Sequence, residues 1–257
     1  HLFAYLTYAI LCRNLSFDFH CQNTPAGANI FLEVTNMSNN VNNYNDSLEL
    51  SKMFHEIKNP LALINSSLQL IERDHPEVLD FRFWNQTMED IKNLRKLIDE
   101  LSSFQKGTVL NVTKINLFDF TEDLLESTAG FLLETGTPLT LQCDITDLDF
   151  SADEVKLRQA VINLLKNAAE SSAAGNPITL SITADTKTLL LTVKDTGCGI
   201  SKEHMEKLFE PFHTTKSYGT GLGLPIVKRI VEAHHGTLSV HSEEGTGTTV
   251  EISLPLS

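Results

Sequence analysis

Cysteine is scarce in this chain. There are four among 257 residues (Cys12, Cys21, Cys143 and Cys198), with no C-x-x-C and no paired metal-ligand spacing. That excludes a disulfide scaffold and a cysteine-bound zinc site, and makes the four reduced thiols of a cytoplasmic protein. Long apolar runs are absent as well: the opening LFAYLTYAILC supplies about eleven residues before Arg13, against the ~18–20 a bilayer requires. No contact of this segment with a membrane is expected. The basic lead-in of a signal peptide is missing, and because the chain starts at His1 and not Met it is expected to be a piece of something longer.

Positive charge is in short supply. Twenty Lys and Arg face 33 Asp and Glu, for a net charge of -13. Residues 1–45 carry one basic and two acidic side chains, 46–106 eight and eleven, and 107–257 eleven and twenty. This balance excludes a nucleic-acid surface. If the last part handles a polyanion such as a nucleotide, backbone amides, a metal ion and a few placed cations must do it. The rest of the composition, 41% hydrophobic and 21% charged, is that of a folded globular protein. The length suits two compact domains plus a fragment.

Near the start, LSFDFH alternates apolar and polar residues, NTPAGA breaks the pattern and NIFLEV resumes an apolar run, which predicts a strand, a turn and a strand. Six asparagines between Asn36 and Asn45 predict a linker. Residues 1–45 are thus the remnant of a truncated domain, and with VTNMS closing the second strand they resemble the end of a PAS sensor domain. From Asp46 to Arg73 the apolar residues Met53, Ile57, Leu61, Ile64, Leu68 and Ile71 step by three or four and make one helical stripe. After His75-Pro76 the spacing returns in Trp84, Met88, Ile91, Leu94, Ile98 and Leu101, up to Gly107. The two helices fold back as a hairpin, and two unpartnered stripes favour pairing with a second copy as a four-helix bundle. Beyond Gly107, strands are expected near 109–115, 139–143, 178–184, 189–194, 237–241 and 248–254. Helices are expected near 117–134, 153–174 and 224–235. That is an α/β sandwich, and eight of the thirteen glycines follow Asp195.

Four stretches carry chemistry. FHEIKNPL, Phe54 to Leu61, puts His55 on the face of its helix opposite the apolar stripe, with Glu56 on the flank and Asn59 one turn on. Pro60 loosens the helix there. A neutral imidazole can attack phosphorus near pH 7, and a neighbouring carboxylate can take its proton, although an exposed histidine on a long helix can equally be only a solvated side chain. LRQAVINLLKNAAESS places Asn163 and Asn167 four apart on one face with Glu170 a turn further. Oxygen donors of this kind suit Mg²⁺ carried by a nucleotide, and equally suit ordinary satisfaction of backbone groups. In VKDTGCGI, Asp195 ends a strand and Gly197 and Gly199 allow a sharp turn, so the carboxylate can accept an exocyclic amine. In LFEPFHTTKSYGTGLGLPIVKRI, Gly219, Gly221 and Gly223 free backbone N–H groups for phosphate oxygens at the start of a helix. Thr215, Lys216 and Leu222 belong to the same segment. No G-K-[ST] is present, and no strand enters the glycines directly, so neither a Walker loop nor a Rossmann fingerprint applies.

In the order HEIKNPL, NLLKNAAE, DTGCGI, FEPFHTTK and GTGLGL, followed by EAHHG and GTGTT, these motifs resemble those of the sensor histidine kinases of two-component systems, from about Ser47 to Pro255. The resemblance implies an α+β architecture: a dimerisation and phosphoacceptor hairpin over 46–107, then a catalytic ATP-binding domain of the Bergerat type over 108–257. It implies His55 as the phosphorylated residue with Glu56 as its acid/base neighbour, and Asn59 in a pattern that accompanies phosphatase activity. It also implies Asn167 as a Mg²⁺ ligand with Asn163 nearby, Asp195 as the adenine-reading carboxylate, and residues 201–221 as a lid over ATP. The implied partners are a second copy and the receiver domain of a response regulator. His213 and His235 depart from the usual pattern, standing where an aromatic residue and a glycine are common. Two rivals are a Bergerat-fold ATPase clamp and a dimerisation scaffold with a decayed ATP site. The first is disfavoured by HEIKNPL on a bundle helix, the second by the presence of Asn167, Asp195 and GTGLGL.

Overall fold

The periodicity of the hairpin sequence becomes two long helices in the structure, a computed structural model that describes residues 44–106, 109–143, 145, 148–216 and 219–256. The chain divides into units 1–50 and 51–257, and of the first only the beginning of helix α1 is described. The strand pair expected within 15–34, most of the asparagine-rich linker, Cys12 and Cys21 lie outside the described residues.

Helix α1 (Tyr44–Asp74) runs unbroken through Pro60. A 3₁₀ turn, Pro76–Asp80, then reverses the chain into helix α2 (Trp84–Lys106). Polar pairs fix the two helices against each other at both ends: Lys58 to Asp99 at 2.8 Å, and the Trp84 indole N–H donating to Glu72 at 3.2 Å. Between these pairs Leu61 and Ile98 are buried. The rest of the α1 stripe is only partly covered, for Met53, Ile64 and Ile71 remain 42%, 36% and 41% exposed.

The second layer system begins with strand β1 (Thr113–Asn116), later than its expected start near 109. Residues 109–111 are tied by side chains instead of by a ladder: Lys156 Nζ donates to the carbonyls of Lys106 and Val109, and the Asn111 N–H donates to Asp153. Helix α3 (Leu117–Thr135) starts at an Asn116 cap, whose Oδ1 accepts the N–H of Phe118 at 3.0 Å, and ends at Gly136 in the left-handed region. Strands β2 (Leu139–Cys143) and β3 (Asp149–Ala152) follow, then helix α4 (Glu154–Ser171), capped by Asp153. Next come strands β4 (Ile178–Ala184) and β5 (Thr188–Lys194), the short helix α5 (Lys202–Glu206), helix α6 (Gly223–Ala233), and strands β6 (Thr237–Glu243) and β7 (Gly247–Pro255).

The main sheet has the order β2-β4-β5-β7-β6, with β2 parallel to β4 and the remaining neighbours antiparallel; β1 and β3 form a separate antiparallel pair. Alternation decides which face is covered. Leu189, Leu191 and Val193 of β5 and Val250, Ile252 and Leu254 of β7 are buried together with Leu124, Leu157, Leu165, Ile226 and Ile230 of helices α3, α4 and α6. The result is one sheet with helices on one face, the α/β sandwich expected from the sequence. Leu97, Leu101 and Phe104 at the end of α2 pack against the same core. Among the described residues no helix is long and apolar enough to cross a membrane.

Candidate active site

The end of β5 fixes the most buried acidic group of the site. Val193 pairs with Val250 and Lys194 with Thr249, so the next residue, Asp195, meets Thr248: its N–H donates to the Thr248 carbonyl at 2.9 Å, and its Oδ1 accepts the N–H groups of Thr248 at 3.2 Å and Gly197 at 2.8 Å. Asp195 is only 6% exposed. Burial pushes its carboxyl above the ordinary value of 3.8, against the pull of the two amides and of the Lys216 charge. A carboxylate so held, facing an open cleft, is a fixed acceptor for an N–H donor that shares its desolvated surroundings.

The turn after it exists because two positions lack a side chain. Gly199 has φ +66°, and a Cβ there would run into the carbonyl of Glu243; a Cβ on Gly197 would strike the Ser171 carbonyl. This close packing brings the strand end against the C-terminal part of α4.

Helix α4 buries Leu157, Val161, Leu164, Leu165 and Ala168, which leaves Asn163, Asn167 and Glu170 along its other edge. Asn163 Nδ2 donates to the Gly223 carbonyl at 3.5 Å, tying α4 to the first residue of α6. Lys216 comes over from the glycine-rich segment: its Nζ is 2.5 Å from a Glu170 oxygen and donates to Asn167 Oδ1 at 3.4 Å. The oxygens of Asn167 and Glu170 therefore already face one cation, the ammonium of Lys216. This is the chemistry that a hard divalent ion accompanied by phosphate would use. Among the described residues no group of three or more His, Cys, Asp or Glu could hold a metal ion.

Gly219, Thr220 and Gly221 lead into α6. Gly221, at φ +69°, lies against the backbone of Phe212 with no space for a side chain, and its carbonyl accepts the Phe212 N–H at 3.1 Å. The loop thus folds on the FEPFHTT segment and meets the N-terminal end of α6, where backbone N–H groups and the helix dipole favour an anion.

These elements enclose a cleft of about 480 Å³ whose lining includes Asn163, Asn167, Glu170, Asp195, Gly199, Thr215, Lys216, Gly219, Gly221 and Gly223. Two residues expected at a ligand are not in the lining. Gly197 lies behind it against Ser171, and Leu222 is fully buried in the core. The other group of expected residues stands elsewhere: His55, Glu56 and Asn59 are exposed on α1, and no residue of α1 lines the cleft. Thr248, inside GTGTT, holds Asp195 from a neighbouring strand, and His204, inside the 201–221 segment, has its Nδ1 2.7 Å from Ser201 Oγ and its ring 5.6 Å from that of His213; the sequence motifs give neither residue this individual role. Lys96 and Glu100 of α2, which close one side, lie in no motif. A sheet register and a helix packed from another part of the chain bring them there.

The chain is similar to known proteins. Residues 152–257 match the family model described as "Histidine kinase-, DNA gyrase B-, and HSP90-like ATPase". Over 208 residues the chain is 31% identical to sporulation kinase C of Bacillus subtilis (strain 168), which covers 79% of this chain and 47% of that protein. The match covers between 27% and 47% of the length of curated relatives such as sporulation kinases C, B and E of that organism. Full-length ShkA, solved with AMPPNP, shares the fold at a TM-score of 0.69 and 22% identity, over 81% of this chain and 46% of that one. Histidine kinase ThkA in complex with the response regulator protein TrrA gives a TM-score of 0.58 at 25% identity, over 80% of this chain and 60% of that one.

Proposed function

From a chain whose residues 152–257 match the histidine kinase-, DNA gyrase B- and HSP90-like ATPases and that is homologous to sensor histidine kinases, we propose an ATP-dependent protein-histidine kinase that phosphorylates its own His55 and passes the phosphoryl group to an aspartate of a response regulator. In this reading 1–45 is the remnant of a sensor domain, 46–107 the dimerisation and phosphotransfer hairpin, and 108–257 the catalytic domain. The observation that carries it is the cleft, which draws Asn163, Asn167, Asp195, Gly219, Gly221 and Gly223 into one lining from positions 60 residues apart at the extremes.

Each side chain has work that its position suits. Asp195 accepts the exocyclic amine of adenine, and its burial penalises a ligand that offers no donor. The loop amides and the α6 N-terminus take phosphate oxygens. Mg²⁺, when bound with the nucleotide, neutralises charge on those oxygens; Asn167 would hold it, with Asn163 and Glu170 adjacent. His55 acts through a neutral ring nitrogen that forms a bond to the γ-phosphorus while the bond to the bridging oxygen breaks and ADP leaves; Glu56 takes the imidazole proton. The same phosphorus then moves from His55 to a carboxylate oxygen of the receiver domain. ThkA bound to TrrA supports a response regulator as the partner. Because His55 stands outside the cleft, transfer requires the catalytic layer to swing onto α1 of its own chain or of a second copy.

Incubation with ATP labelled at the γ-phosphate and Mg²⁺ should label the chain in an acid-labile, alkali-stable bond, and His55→Gln should abolish the label. Label that persists in His55→Gln would remove the phosphoacceptor role from this residue.

A further inference from the structure

The glycine-rich loop already holds an anion, and the chain itself supplies it. The Thr220 hydroxyl, between Gly219 and Gly221, donates to Glu100 Oε2 of α2, and its oxygen accepts the Leu222 N–H at 3.4 Å. The carboxylate therefore sits in the cleft wall at the stretch of backbone that leads into α6, where loop amides and the helix end attract negative charge. The opposite charge is mirrored nearby: the Lys216 ammonium faces Asn167 and Glu170, the oxygens suited to a nucleotide-borne cation. The end of the cleft suited to a base is built separately, on Asp195, Gly197 and Thr248. Glu100 is not held there by chance packing of one side chain. The same end of α2 seats Leu97, Leu101 and Phe104 on the core, and the Arg229 guanidinium of α6 stacks 4.4 Å from the Phe104 ring.

We propose that Glu100 is an internal competitor for the phosphates of the nucleotide, so that α2 and the phosphates claim the same loop and exclude one another. Thr220 has one hydroxyl proton, and while it is donated to Glu100 it is not available to a phosphate oxygen. Two anions at one loop also repel each other where water is partly excluded. Entry of phosphates therefore displaces the carboxylate and loosens the end of α2 from α6, the movement that the catalytic layer needs before it can reach His55. The inference deepens the nucleotide reading of the cleft and rests on it.

The test is isothermal titration of the full chain with Mg²⁺-ATP and, separately, with adenosine. Glu100→Gln keeps the side-chain length and an acceptor but drops the charge, and should tighten ATP binding roughly five- to tenfold while leaving adenosine affinity unchanged. Glu100→Ala should gain at least as much. Asp99→Asn, which removes the same charge one residue away from a side chain paired with Lys58, should leave both affinities as they are. Equal ATP affinity in the native chain and Glu100→Gln, or an equal gain in Asp99→Asn, overturns the competitor role and leaves the nucleotide reading standing. A native chain that binds neither ATP nor adenosine overturns the nucleotide reading, and this inference with it.

Discussion

Asp195 links stability to binding at a single residue. Burial raises its native carboxyl above 3.8, so only at pH between the unfolded and the raised native value does the folded state hold a proton that the unfolded chain has released. The stability this contributes is full below the unfolded value and is lost as the pH climbs through the raised native value. At neutral pH the ionised group is thus a cost that the fold carries for what the carboxylate does in the cleft. Asp195→Asn removes that cost, and its amide oxygen can still accept the N–H groups of Gly197 and Thr248. The variant should unfold at the same or a higher temperature than the native chain at neutral pH, with the difference shrinking as the pH falls to about 4. Its adenine-nucleotide affinity should drop by about tenfold or more, because an N–H now faces the exocyclic amine. Thermal melts across that pH range and a nucleotide titration measure both. A variant that is less stable at neutral pH and binds normally would make Asp195 a purely structural residue. His235 shows a different kind of residue-level cost. It stands where glycine is common and has φ 58°, the left-handed conformation that ends α6 and that a side chain adopts only under strain.

At the scale of the element, legibility depended on length and on who supplies the partner. Strands β2 and β4 occupy the residues expected of them, and α3 and α6 agree with their expected ranges within a residue or two, each being long enough to carry a period of its own. Strand β3 is four residues and α5 five, too short for any period to register, and they were not anticipated. Helix α4 ends at Ser171 and not near 174, since Ser172 turns extended and its N–H closes on Ala168 and Ala169. The site divides in the same way. Glycines and asparagines at motif spacing announced the loop and α4. Glu100 lies in no motif, and Thr248 lies in GTGTT with no role of its own, because only tertiary packing gives either residue its role. Helix α1 carries an element-level prediction. His55 and Asn59, one turn apart, are both exposed, and Lys58 between them is engaged with Asp99. The neutral Asn59 amide can orient a water against a phosphoryl group on a docked regulator without repelling its oxygens. Asn59→Ala should keep His55 autophosphorylation and slow dephosphorylation of the partner. A parallel fall in both activities would mean that the change acts through the helix around Pro60.

For the whole molecule, the uncovered stripe of α1 leads to an expectation about the state of assembly. Leu61 and Ile98 are buried within one hairpin, but Met53, Ile64 and Ile71 leave a row of large apolar side chains open to water. Closing a row of this size against an equivalent one is worth ~1.5–3 kcal/mol per fully buried side chain, and a two-fold axis brings like stripe to like stripe without new residue types. The symmetric solution is a four-helix bundle made from two hairpins. It would also place a second α1 beside each catalytic layer, which gives His55 a choice of cleft. We therefore expect the chain to sediment as a dimer, at twice its 28.6 kDa, at micromolar concentration. Charging the stripe in Ile64→Glu with Ile71→Glu should shift it to monomer while Mg²⁺-ATP binding in the cleft persists, since no residue of α1 lines it. A native chain that stays monomeric under those conditions would mean that the stripe serves another surface. A double variant that stays dimeric would place the contact away from α1.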